Sequence, residues 1–238
     1  IGIQIEREIF PWVVAGILCS FVLGWSFLQA LPAIWFDEEG YYSHGILVPF
    51  MTLAVIYMRR EEIRRQPVSS SLWGIPILLI GLSLVLSGRV IDNISLAAFG
   101  FILCLIGGVY FAFGNKIGRI TLTPLLFLIF MMPFLGFIID TTTNPLQLIS
   151  TRIAEKMLLI VGFQVDIPAS NPTLIILGSG YDMMVGGPCS GFKLILSLAA
   201  FTIFFVMISN LGLWKNLVLF ALAIPLALFV NGLRIMLI

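Results

Sequence analysis

Long apolar runs alternate with short polar or charged connections along almost the whole chain. Seven runs are long enough, with their flanks, to approach the ~20 residues needed to cross a bilayer: Phe10–Leu31, Gly45–Met58, Leu72–Ser87, Ile94–Phe113, Ile120–Ile139, Phe192–Ser209 and Leu217–Ile238. The second and third are short, and each extends into flanking residues such as Tyr41, Tyr42 and Gly88. The longest stretch between spans, residues 139–191, breaks the pattern in two ways. Over Pro145–Phe163, Leu146, Ile149, Ile153, Met157 and Ile160 recur at helical spacing, with Gln147, Thr151, Arg152, Glu155 and Lys156 between them. That is the pattern of a helix lying in the membrane interface. Over Val165–Val185, turn residues (Asn171-Pro172, Gly178-Ser179-Gly180) enclose the run Leu174–Leu177, which predicts a strand or short hairpin. The expected architecture is an all-α polytopic membrane protein with about seven transmembrane helices, and residues 1–238 form one integral-membrane domain.

Composition supports this. Of 238 residues, 60% are hydrophobic and 11% charged, with a mean hydropathy of +1.10. Soluble domains carry about a quarter charged residues, so a water-soluble globule is excluded. A formal net charge of +1, with no long basic run, excludes nucleic acid as a partner and leaves membrane lipids as the surroundings. The first ten residues show no signal-peptide pattern. The chain begins without methionine and ends inside an apolar run, which reads as a trimmed sequence.

Charge also sets an expected orientation, because short cytoplasmic loops hold the excess of Lys and Arg. With the amino terminus inside, Arg7, Arg59, Arg60, Arg64, Arg65, Lys116, Arg119 and Lys215 are cytoplasmic. Arg89, Arg152, Lys156, Lys193 and Arg234 fall outside, together with eight of the twelve acidic residues. Residues 139–191 are then an outer loop, before the sixth span.

The candidate chemistry lies at that outer side. Gly186-Gly187-Pro188-Cys189-Ser190-Gly191 reads as a tight corner opening the sixth span. A thiol at a helix N-terminus is favoured as thiolate, and Lys193, four residues on, would share its helix face. Locally, a small residue at a packed helix start accounts for Cys189 as well or better. Ser190 is a poorer nucleophile candidate, because Pro188 and Phe192 stand where a G-x-S-x-G elbow needs glycine. Cys19 and Cys104 sit mid-span and read as packing residues. The three cysteines match neither a disulfide framework nor zinc spacing, and the single histidine, His44, argues against a metal site. Arg234 lies deep in an apolar span, with Asn231 one turn earlier on its face; such an arginine is a functional candidate, or else snorkels to the headgroups. His44, in Tyr41-Tyr42-Ser43-His44-Gly45, reads first as part of an interfacial aromatic belt.

Taken together, Pro188-Cys189-Ser190-Gly191-Phe192-Lys193, Asn231-Gly232-Leu233-Arg234 and Tyr42-Ser43-His44-Gly45-Ile46-Leu47-Val48-Pro49 resemble the exosortase/archaeosortase family, from about Trp35 to the end. The resemblance implies a membrane-embedded cysteine protease or transpeptidase of the cell membrane, working at the outer face without a cofactor. Its substrates would be exported proteins with a C-terminal sorting tail: a motif, a transmembrane helix and a basic cluster. Water, a lipid or a glycan would accept the acyl group. Cys189 matches the family nucleophile and Arg234 its essential arginine, while Ser190, Lys193, Asn231 and His44 are expected in supporting or substrate-binding roles. A third family position, histidine or arginine one span later, falls beyond Ile238. The competing classes are a non-enzymatic transport or polysaccharide-export component, in which Arg234 pairs with an acid, and an acyltransferase without proteolysis.

Overall fold

The computed structural model describes residues 22, 24, 25, 27–37, 40–133, 136–178, 180–209 and 211–237, with the side chains of 136–140 and 188 outside that description. Most of the first expected span, Phe10–Leu31, and Cys19 lie outside the described residues. The chain divides into two compact units: Ile1–Phe36 with Tyr42–Phe134, and Asp37–Tyr41 with Leu135–Ile238.

In the first unit, residues 27–35 are helical, and a 3-10 turn at Ser43–Ile46 leads into α1 (Val48–Met58) and α2 (Arg60–Arg64). Helices α3 (Gly74–Val90) and α4 (Ile94–Phe127) form an antiparallel hairpin, and a 3-10 turn at Leu128–Met131 extends α4. Between them Asn93 caps α4, its side-chain oxygen accepting from the Leu96 N–H at 2.9 Å. Close approach of these two helices depends on glycines seven residues apart. Gly74, Gly81 and Gly88 on α3 face residues around Gly107, Gly100 and Ala97 on α4. A Cβ at Gly81 would stand 2.7 Å from the Cys104 nitrogen, and one at Gly100 would stand 2.6 Å from the Gly81 oxygen. Seven residues is two helical turns, so the glycines line one seam and let the backbones touch, as small residues do between membrane helices. Cys104 belongs to this seam and is buried.

Gly114 splits α4. Its φ of 86° and ψ of 179° belong to no helix, and a Cβ there would run into the Ser69 carbonyl. The pieces Ile94–Phe113 and Asn115–Met131 overlap two of the expected apolar runs. The second piece, however, stops at Met131 rather than Ile139. Met132, held before Pro133, is extended (φ −113°, ψ 147°), the conformation that a following proline imposes. Side chains close the first unit elsewhere: Trp35 donates to the Met131 carbonyl at 3.0 Å, Arg59 to the Ile120 carbonyl at 2.8 Å, and Ser71 to Asn115 at 2.7 Å.

The second unit opens with α5 (Gly136–Val161), which begins earlier than the expected interfacial helix and passes through Pro145. It ends in a Schellman turn at Gly162 (φ 99°), with Phe163 donating to the Leu158 carbonyl and Gly162 to that of Leu159, both at 3.1 Å. A three-stranded antiparallel meander follows: β1 (Val165–Asp166), β2 (Leu174–Leu177) and β3 (Asp182–Met184), in that order. The expected hairpin is β2–β3, turning at Gly178–Gly180, where Gly180 takes φ 81°. β1 is an addition to it. A 3-10 turn, Gly187–Cys189, then leads to α6 (Phe192–Ile208) and α7 (Leu213–Met236). Ile175 of β2, Val185, Ala154 and Leu158 of α5, and Ile235 of α7 form the core of this unit.

Two helical stretches, Ile94–Met131 and Leu213–Met236, are long and apolar enough to cross a membrane, and Ser43–Met58, Gly74–Val90 and Phe192–Ile208 are shorter apolar helices. Their outer faces stay apolar: Phe50, Leu53, Leu79, Leu222, Leu226 and Phe229 are all exposed. In water that surface would drive collapse; against lipid tails it costs nothing.

Candidate active site

Of the residues that the sequence singles out, Cys189, Ser190 and Asn231 meet where the 3-10 turn joins α6 and passes over α7. Cys189 is the last residue of the turn, with its N–H donating to the Gly186 carbonyl at 3.0 Å. Its thiol is free and partly exposed, and it packs against the edge of the Ile175–Ile235 core. Gly191, at φ 85°, then interrupts the chain before α6 starts at Phe192. Cys189 therefore does not share a helix face with Lys193, which lies in the first turn of α6. The left-handed glycine between them removes the i, i+4 relation expected from the sequence.

Ser190 is fully buried. Its hydroxyl accepts from the Phe192 N–H at 3.3 Å and so caps the new helix, and its carbonyl accepts from Ser150 Oγ of α5 at 2.9 Å. Asn231 of α7, also without exposed surface, donates through Nδ2 to the Cys189 carbonyl at 2.8 Å and to Ser150 Oγ at 3.0 Å. One amide thus ties the cysteine turn, α5 and α7 together. Gly191 permits this approach, because a Cβ there would stand 3.1 Å from Asn231 Nδ2. Gly232, next along α7, abuts Ile153 so closely that any side chain would overlap it.

Arg234 lies three residues after Asn231, in the last turn of α7, and its side chain is exposed. Asn231 and Ile235 are buried on either side of it in sequence, one holding the Cys189 carbonyl and the other packed in the core that Cys189 adjoins. Among the described residues no carboxylate pairs with Arg234. Tyr41 stacks edge-on against Phe192, with centroids 5.5 Å apart, and its hydroxyl lies 3.4 Å from where a Gly187 Cβ would be. His44 belongs to the first unit, buried in its 3-10 turn with its ring stacked on Tyr42.

Ser150 and Tyr41 escape a reading of the sequence as site residues. Ser150 lies among Gln147, Thr151 and Arg152, which together look like the polar face of an amphipathic helix; Thr151 is as buried as Ser150, and only the bonds of Ser150 to the Ser190 carbonyl and Asn231 separate it from them.

The exposed apolar helices fit a match to a known family. A family model described as transmembrane exosortase (EpsH type) matches residues 35–238. No curated protein and no solved structure gives a significant match. With all but the first 34 residues covered, this membrane protein belongs to the transmembrane exosortase family.

Proposed function

We propose that the chain is a membrane-embedded cysteine transpeptidase or protease that cleaves the C-terminal sorting tail of exported proteins. The observation that carries the reading is the Asn231 amide. It binds the Cys189 carbonyl at 2.8 Å, one helical turn from Arg234, and so keeps a partly exposed thiol beside the end of α7 that bears a fixed cation. A buried amide of α7 is spent on the backbone of the cysteine turn, which packing alone does not require, and Arg234 follows that amide by three residues.

In the reaction, the Cys189 thiolate attacks the scissile carbonyl carbon, and the carbonyl π pair moves onto oxygen. The Arg234 guanidinium stabilises that oxyanion as a fixed cation with a planar fork of donors. Collapse expels the tail as an amine, which takes up a proton, and leaves a thioester on Cys189. Water, or a nucleophile on an acceptor lipid or glycan, then releases the acyl group. Ser190 is the less suitable nucleophile, because its hydroxyl is buried and already caps α6. The charge asymmetry of the connecting segments supports an outer-face site on the cytoplasmic membrane.

Cysteine replacement tests the reading. Processing of a co-expressed tailed substrate is expected to stop in Cys189→Ala while the variant still accumulates in the membrane. Cys104→Ala, in the glycine seam, and Cys19→Ala retain most processing, since changes of this size cost about 1 kcal/mol of stability. Normal processing by Cys189→Ala would exclude a cysteine protease. An adduct that forms without the substrate's peptide bond being cut would favour an acyltransferase.

A further inference from the structure

Ser150 has no assigned part in this chemistry, yet its bond to the Ser190 carbonyl has a consequence on the other side of the same peptide. A trans peptide carries its C=O and the next N–H in opposite directions. With the Ser190 carbonyl fixed on Ser150 Oγ at 2.9 Å, the Gly191 N–H is turned away from α5. The neighbouring peptide is fixed in the same way. The Cys189 carbonyl is held by Asn231, and the opposed Ser190 N–H is satisfied by the Gly187 carbonyl at 3.0 Å. The Gly191 N–H has no such acceptor. The 3-10 bonding ends with Ser190, α6 starts after Gly191, and no described group accepts from it, although Gly191 is buried. Buried backbone donors are almost always paired, so an unpaired one two residues from a candidate nucleophile, on a glycine in the left-handed conformation, calls for a reason.

We infer that the Gly191 N–H is a second oxyanion donor, complementing Arg234, and that Ser150 is the positioning residue that keeps it facing the reaction. This rests on Cys189 being the nucleophile. At φ 85° the glycine can rotate its preceding peptide with little steric resistance. Without the Ser150 hydroxyl, the Ser190 carbonyl is free to swing toward the site, and the donor is lost to it. When Cys189 attacks an acyl carbon, the oxygen that gains the π pair accepts from Gly191; on collapse the pair returns and the leaving group departs.

Two small probes separate this from a structural role. p-Nitrophenyl acetate acylates a thiolate through a tetrahedral oxyanion, releasing p-nitrophenolate. Iodoacetamide alkylates the same sulfur by displacing iodide, with no carbonyl addition. Both are applied to the full chain reconstituted in phosphatidylethanolamine–phosphatidylglycerol vesicles, with modification read on the peptide containing Cys189. Removing an oxyanion donor typically slows acyl transfer by about 10²–10³. In Ser150→Ala, where the peptide is freed rather than deleted, the acylation rate is expected to fall about 10-fold or more while alkylation stays within about twofold of the parent. Acylation within twofold of the parent would overturn the inference and leave the cysteine reading standing. A parallel fall in both rates would also overturn it, making Ser150 a support for the turn as a whole. A burst of p-nitrophenolate that survives Cys189→Ala, or an alkylatable parent that gives none, would remove the nucleophile itself and both conclusions with it.

Discussion

Arg234 is the one residue of α7's last turn whose charge has no structural explanation. Asn231 and Ile235 are spent on holding and packing, whereas the guanidinium is exposed and pairs with no described carboxylate. If it were a headgroup anchor, lysine would serve as well, since both side chains snorkel. A guanidinium that stabilises an oxyanion presents donors in a plane, which an ammonium cannot copy. Arg234→Lys is therefore expected to insert normally and to lose roughly 10²–10³ in processing rate, measured as the processed-to-unprocessed ratio against membrane abundance. Processing within a few-fold of the parent would make Arg234 an anchor. Arg234 stands out in the sequence as a charge deep in an apolar run, with Asn231 one turn earlier, whereas Cys189 reads locally as a packing residue and becomes a candidate only through the family resemblance. Ser150 is not legible there as a site residue, because a hydroxyl on an amphipathic helix looks the same whether it faces water or a buried carbonyl. The supposed pairing of Lys193 with Cys189 failed for a backbone reason: spacing of four implies a shared face only if the helix is unbroken, and Gly191 breaks it.

At the scale of elements, the α3–α4 hairpin is held by its glycine seam. A Cβ at Gly81 would press on the backbone of Cys104 and Gly100, atoms that cannot move aside as a side-chain tip can. Gly81→Leu is expected to destabilise the first unit by at least the ~1–3 kcal/mol usual for overpacking, and to show as a lower melting temperature in detergent. Gly108, where a Cβ would meet nothing within 4 Å, is the matched control and tolerates alanine. An unchanged melting temperature in Gly81→Leu would mean that the helices do not touch there. The apolar runs predicted most of these helices, since hydropathy reports burial in protein or lipid. Local backbone chemistry set what they missed. Pro133 ended the fifth run early by forcing Met132 to extend, and β1, only Val165–Asp166, is too short to show an alternating pattern.

For the molecule as a whole, the family match and the exposed apolar helices establish a membrane protein, and charge supplies the proposed orientation. Reporters inserted between Arg60 and Arg64 and within Ile167–Thr173 are expected to report opposite compartments, the first cytoplasmic. If Ile167–Thr173 reported cytoplasm, Cys189 would face the wrong side for an exported substrate. The central claim, that Cys189 forms an acyl-enzyme, is tested most directly by quenching the enzyme in acid during turnover of a tailed substrate and weighing the Cys189 peptide. A thioester with the substrate's upstream fragment, released by hydroxylamine and absent in Cys189→Ala, is the expected result. Turnover that proceeds with Cys189 unmodified, or with the acyl group on another residue, would contradict it.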